Sequence, residues 1–191
     1  MAHRSRRRAR EAALRALYSI EVGHVPYETA IQEITANSEL PADLQPYFES
    51  LVRGVRRDMA QMDESLAGLI HDYEYDRLAT VDRTVLRLAA YELVNEPAIA
   101  PAITINEAVE IAKKYSTAES GKFVNGVLGA FLGLTDKANW DPDTAPEEVF
   151  ETREPEDEIE VEEIDLDPES EEGKKIARIG GWKLRSALDP S

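Results

Sequence analysis

Hydrophobic residues recur at intervals of three and four along residues 1–135, which is the repeat of an α-helix that buries one face. The clearest row is formed by Leu44, Tyr47, Phe48, Leu51, Val52 and Val55, and it is followed by Met59, Met62, Leu66, Leu69 and Ile70. The alternation of apolar and polar residues that is typical of a strand does not appear in this region. The pattern therefore predicts an all-α fold.

Glycine and proline residues divide the pattern into separate helices. The first helix is predicted to end near Gly23, and Pro26 suits the opening of the second. The rows at 44–55 and 59–70 predict a third and a fourth helix, and a further row at 81–93 predicts a fifth.

Two capping-box spacings predict the starts of the last helices. Thr104 stands three residues before Glu107, and Ser116 stands three residues before Glu119. Both pairs precede apolar runs, so we expect a sixth and a seventh helix there. We therefore expect a bundle of about seven helices, arranged in two small subdomains.

The end of the chain has a different composition. Residues 136–191 hold 19 acidic and 7 basic side chains, so they account for most of the formal net charge of -16. A proline-containing acidic run repels itself and buries little, so we predict a disordered tail over 136–172. A short basic and apolar segment follows at 173–191, and the folded domain is predicted to span 1–135.

The start of the chain is rich in arginine. Six arginines occur within the first fifteen residues, interleaved with alanine and leucine, although the chain as a whole is strongly acidic. Such a basic helix predicts a polyanion as its partner. Arginine in place of lysine favours bidentate contacts with phosphate and stacking on bases, which points to RNA or DNA. The alternative is a terminus that only aids solubility or processing.

Other chemistry finds little support in the sequence. The three histidines lie on separate segments, and the chain has no cysteine, so we predict no metal site and no catalytic residue. The glycines form neither a phosphate-binding loop nor a dinucleotide fingerprint, so no cofactor is expected. The lack of cysteine and of an apolar run of about 18 residues predicts a cytoplasmic protein without a membrane span.

Several motifs together resemble one known family. RRRARE at 6–11, LVRGV at 51–55, INEAVEIAK at 105–113 and GKFVNGVL at 121–128 closely resemble the NusB family of transcription antitermination factors. The resemblance covers roughly residues 4–133, and the last two motifs are specific to that family.

The resemblance implies an all-α, non-enzymatic factor. Such a factor binds the boxA element of nascent ribosomal RNA together with the ribosomal protein NusE, and it supports processive transcription within the elongation complex. It also implies an RNA surface made of Arg6, Arg7, Arg8, Arg10, Lys122 and Phe123. Tyr18 and Asp82 match family positions on the side that faces NusE.

Alternatives remain open for several of these residues. Phe123 also fits a core position, Tyr18 an interhelical contact and Asp82 a helix cap. A protein adaptor that keeps the fold without specific RNA binding is the main alternative function. The NusB-like domain of ribosomal RNA methyltransferases would require a catalytic domain and cysteine that are lacking here. An exposed apolar patch would serve a homodimer as well as NusE, and the acidic tail could compete with RNA.

Overall fold

The computed structural model describes residues 2–37, 40–71 and 74–143, and those residues contain helices and no strand. The six α-helices are α1 (Ala2–Glu21), α2 (Tyr27–Asn37), α3 (Gln45–Ala67), α4 (Thr80–Asn95), α5 (Pro101–Tyr115) and α6 (Ala118–Leu132). Three short 3-10 helices lie at Ala42–Leu44, Tyr75–Arg77 and Asp136–Asn139. The prediction of an all-α fold is confirmed.

Helix α4 lies at the centre of the bundle. It packs against α1, α3, α5 and α6, and every residue from Thr84 to Leu93 is buried. Charged side chains on a helix that is buried on all sides need hydrogen-bond partners inside the protein. Arg87 and Glu92 of α4 both have such partners. The described helices belong to one compact unit, and the arrangement in two subdomains stays a prediction.

The predicted third and fourth helices are one continuous helix, α3. Met62 and Leu66 continue the buried row that begins with Phe48 and Leu51, and neither glycine nor proline interrupts the chain between 55 and 67. The helix ends at Ala67, with Gly68 as its C-cap. The prediction of two separate helices here is therefore wrong, and the described residues contain six α-helices, one fewer than the predicted number of about seven.

The end of α1 agrees with the prediction of a stop near Gly23. A side chain there would place its Cβ 2.7 Å from the carbonyl oxygen of Ser19, which only glycine avoids. The next residue, His24, takes a positive φ of 52° and turns the chain away from the helix. Helix α2 then begins directly after Pro26, whose carbonyl accepts a hydrogen bond from the amide of Ala30 at 3.0 Å.

Both predicted capping boxes are wrong in position. Helix α5 begins at Pro101, so Thr104 and Glu107 lie inside it, and their side chains reach α4 and α1. The box of α6 is formed by Thr117 and Ser120, one residue later than predicted. Two residues that stand three apart fit the first turn of any helix, so this spacing alone does not identify which hydroxyl group is the N-cap.

The first residues assigned to the tail are packed against the bundle. The ammonium group of Lys137 donates to the carbonyl oxygens of Glu96 at 2.5 Å and Ile99 at 2.8 Å. The indole nitrogen of Trp140 donates to the carbonyl oxygen of Pro97 at 3.1 Å. These bonds attach residues 136–140 to the turn between α4 and α5. Residues 144–172 of the predicted acidic tail and the segment 173–191 lie outside the described residues.

Candidate nucleic-acid interface

Helix α1 is held in the core through Arg10. Small buried side chains at Ala9, Ala13 and Ala16 let this helix approach its neighbours closely. Arg10 is 5% exposed, and its Nε and Nη2 atoms each lie 2.7 Å from an oxygen of the Glu92 carboxylate. This bidentate pair fixes the position of α1 against α4.

Glu92 accepts four hydrogen bonds in total. Besides the two from Arg10, the hydroxyl groups of Tyr47 and Thr104 each donate to it at 2.5 Å. Burial would raise the pKa of Glu92, but the charge of Arg10 and these hydrogen bonds together hold that pKa below its usual value. The carboxylate is therefore a satisfied anion inside the bundle.

The burial of Arg10 argues against its predicted contact with RNA. Both of its bidentate nitrogen atoms face Glu92, and Nη1 lies 4.0 Å from Glu107. The sequence contains a signal for this, because Arg10 stands three and seven residues before the buried Ala13 and Leu17 and so shares their face of the helix. The other three arginines stand on more exposed parts of α1.

Arg6, Arg7 and Arg8 differ in how far their side chains are available. Arg8 is exposed, and the guanidinium of the partly buried Arg6 lies 5.8 Å from the ring centroid of Tyr47. The side chain of Arg7 is 42% exposed, and it donates to the buried carboxylate of Glu107 at 2.6 and 2.9 Å. The hydrogen bonds that Arg7 donates to Glu107 raise the pKa of Arg7. Arg7 therefore links α1 to α5 while part of its side chain still faces solvent.

A second link joins α1 to the end of α5. The ammonium group of Lys114 donates to both oxygens of Glu11 at 2.9 and 3.0 Å, and the hydroxyl of Tyr115 donates to the same carboxylate at 3.0 Å. Lys113 pairs with Glu110 within α5 at 2.9 Å. The sequence pattern did not identify either lysine as a site residue, although two lysines at a helix C-terminus suit a surface that attracts anions.

The start of α6 lies against the end of α5. A Cβ atom at Gly121 would lie 2.8 Å from Cγ of Lys113, so the lysine stem crosses α6 at a glycine. The next residue, Lys122, is exposed, whereas Phe123 is partly buried and packs against the core. The structure thus brings three helix segments together, and we call their exposed cations the basic surface: Arg8, Arg15, Lys113, Lys114 and Lys122.

Asp82 lies on α4 and Tyr18 lies on α1, and neither belongs to the basic surface. The Oδ2 atom of Asp82 accepts a hydrogen bond from the hydroxyl of Ser120 at 3.0 Å, which ties α4 to the first turn of α6. Its Oδ1 atom is buried and has no hydrogen-bond partner. Tyr18 is 41% exposed on α1. The geometry of Asp82 supports an interhelical contact, and a role of either residue in partner binding stays a prediction.

Metal binding and membrane insertion each require a feature that can be checked in the part of the chain that the structure describes. Within it, no group of three or more histidine, aspartate or glutamate side chains is arranged to hold a metal ion. None of its helices combines the length and the apolar character that crossing a membrane requires.

Comparison with known proteins decides the family. The sequence model that describes the NusB family matches residues 7–132 of this chain. The chain belongs to the NusB family. The NusB antitermination protein of Syntrophus aciditrophicus is 36% identical over 143 residues, which are 75% of this chain and 89% of that protein. The NusB match includes every residue of the basic surface.

Solved NusB structures share the fold. T. maritima NusB superposes with a TM-score of 0.63 and 36% sequence identity, and the match covers 68% of this chain and 92% of that one. A crystal structure of the antitermination factors NusB and NusE in complex with dsRNA matches with a TM-score of 0.63 and 29% identity. That match covers 69% of this chain and 98% of the other.

Proposed function

We propose that this chain is a transcription antitermination factor that binds boxA-type RNA together with NusE and supports processive transcription of ribosomal RNA. The observation that carries the proposal is the basic surface, which gathers cations from α1, α5 and α6 on a chain whose net charge is -16. The NusB relative crystallised with NusE and dsRNA supports the choice of partners. The factor acts in the cytoplasm, within the elongation complex, and without catalysis.

The proposed RNA contacts begin with the arginines of α1. Arg8 is exposed and suits a phosphate, and the partly exposed side chains of Arg6 and Arg7 are proposed to contact RNA beside their contacts with Tyr47 and Glu107. Lys122 contributes a cation from the start of α6. Arg10 is left out of this set, because its side chain is buried against Glu92.

Phe123 is proposed to stack on a base. Its ring packs partly against the core, so one part is held rigidly while the remainder is accessible. A fixed ring loses little entropy when a base stacks on it, and such stacking is worth about 1–3 kcal/mol per base. Phe123→Leu keeps an apolar side chain in the core and removes the ring, so we expect RNA affinity to fall with little change in stability.

Tyr18 and Asp82 are proposed to lie on the side that faces NusE. Tyr18 is among the large hydrophobic side chains that are exposed in the described residues, and an aromatic ring with a hydroxyl group suits a protein interface. Asp82 would act from the first turn of α4, where it also joins α6. Tyr18→Ala should weaken NusE binding and leave binding of RNA alone unchanged.

A pair of matched arginine variants tests the RNA surface. Arg8 on α1 and Arg56 on α3 are both exposed, but only Arg8 belongs to the basic surface. In fluorescence-anisotropy titrations with boxA-type RNA, Arg8→Ala should weaken binding and reduce the log-log salt slope by about 0.7, the value for one phosphate contact on a single strand. Arg56→Ala should change neither quantity. Equal effects of the two variants would contradict the assignment and favour an adaptor without a specific RNA site.

A further inference from the structure

One face of α1 carries an acidic residue between two exposed arginines. Glu11 stands three residues after Arg8 and four residues before Arg15, so the three side chains lie on the same side of the helix. Neighbours at this spacing have Cβ atoms about 5–6 Å apart. In sequence alone, a row of cations that would suit a phosphate backbone is therefore interrupted by a carboxylate.

Helix α5 covers that carboxylate with a cation. Lys114 donates to both oxygens of Glu11, and the side chain of Glu11 is only 16% exposed while that of Lys114 is 58% exposed. Tyr115 adds a third hydrogen bond to Glu11, and its ring centroid lies 5.0 Å from the Lys114 ammonium. The charge that solvent meets between Arg8 and Arg15 is thus the ammonium group of Lys114.

We propose that Glu11 is a positioning residue of the basic surface, which holds the ammonium group of Lys114 between Arg8 and Arg15 so that it contacts an RNA phosphate. Lys114 has three donor hydrogens, and it can serve a phosphate while it remains bound to Glu11. The inference rests on the proposed RNA function and adds to it a role for Glu11 and a specific phosphate contact for Lys114. Tyr115 assists by donating a further hydrogen bond to the carboxylate.

The inference predicts a change in RNA affinity opposite to the one expected when a negative charge is simply removed. Glu11→Gln removes a negative charge from the basic surface, and general electrostatics would therefore strengthen RNA binding. If Glu11 positions Lys114, the variant instead releases a long side chain that must be ordered again when RNA binds. We expect RNA binding to weaken about threefold, within the range that immobilising one flexible side chain costs.

Glu110 provides the matched control. It pairs with Lys113 at 2.9 Å, and both side chains are exposed. Because both residues belong to α5, this pair does not bridge two helices. Glu110→Gln removes the same charge from the same region without releasing a link between helices. Its RNA affinity should be equal to that of the wild type or higher.

The experiment is an anisotropy titration of boxA-type RNA with the full chain. The variants are Glu11→Gln, Glu110→Gln, Lys114→Met and the double variant Glu11→Gln/Lys114→Met, and thermal unfolding confirms that each one is folded. Because Glu11 acts through Lys114, the double variant should bind no more weakly than Lys114→Met alone. Additive losses, or equal or tighter binding by Glu11→Gln, would overturn the inference.

The arginine variant separates this inference from the function on which it rests. If Arg8→Ala weakens binding while Glu11→Gln does not, the RNA surface stands and the role of Glu11 is refuted. If Arg8→Ala has no effect on the same titration, the proposed RNA function itself fails.

Discussion

Arg10→Met removes the cation from the buried pair that anchors α1. In the variant the carboxylate of Glu92, which is 1% exposed, keeps the hydroxyl donors Tyr47 and Thr104 but loses both charge-assisted bonds from Arg10. Removing one partner of a buried ion pair costs about 3–5 kcal/mol, because the other charge is left without compensation. We expect a loss of that size in the free energy of unfolding at neutral pH.

The loss should depend on pH. In the wild type the pKa of Glu92 lies below its usual value of 4.5, so the stability that this carboxylate contributes is present above about pH 4.5 and is lost only as the pH falls further. In Arg10→Met, burial without a cation raises the pKa of Glu92 above 4.5, and the folded state takes up a proton before the unfolded state does. The cost of the substitution should therefore be largest near pH 7 and smaller at pH 5.

Urea unfolding followed by circular dichroism at pH 7 and pH 5 measures both effects. Arg15→Met is the control, since Arg15 is an exposed arginine of the same helix and its replacement should change stability by no more than about 0.5 kcal/mol. A loss for Arg10→Met of only about 1 kcal/mol, the size of an exposed ion pair, would refute the reasoning. An equal loss at both pH values would also refute it.

Three further predictions concern the fold. Gly54→Ala should destabilise the protein by about 1–3 kcal/mol in urea unfolding, because its Cβ would lie 1.9 Å from Cζ of Tyr91. Gly129→Ala, at an exposed site in α6 with no atom within 4 Å of the new Cβ, should stabilise it by about 0.4–1 kcal/mol, and a loss at this site would contradict the packing described. Thr117→Ala should lower stability by about 1 kcal/mol and Ser116→Ala by less, because Thr117 is the N-cap of α6. The reverse order would favour the capping box predicted from Ser116.

The helical content could be predicted from sequence because apolar spacing reflects which face of each helix meets the core. The same spacing does not show whether two successive rows are joined. Nothing between Val55 and Met59 breaks a helix, and the structure accordingly continues α3 through both rows. Thr104 and Glu107 carry capping chemistry in sequence, yet their partners are Glu92 and Arg7, which lie on other helices. Such tertiary contacts override a local pattern.

The candidate site could be predicted only as a concentration of charge. Composition identifies the arginines of α1 but does not distinguish the exposed Arg8 from the buried Arg10. The two differ because they lie on different faces of the helix and because Glu92 on α4 pairs with Arg10. Lys113 and Lys114 were missed as site residues because their nearest acidic neighbour in sequence is Glu110. Only the packing of α5 against α1 shows that Lys114 pairs with Glu11 instead.

The central claim is tested most directly by measuring RNA affinity with and without NusE. The measurement is an anisotropy titration of boxA-type RNA and a scrambled RNA, at two salt concentrations, with the wild type and with a variant that carries alanine at Arg6, Arg7 and Arg8. The proposed function predicts a preference for the boxA-type RNA that NusE strengthens and that the variant loses. Equal, weak binding of both RNAs that NusE does not change would contradict it.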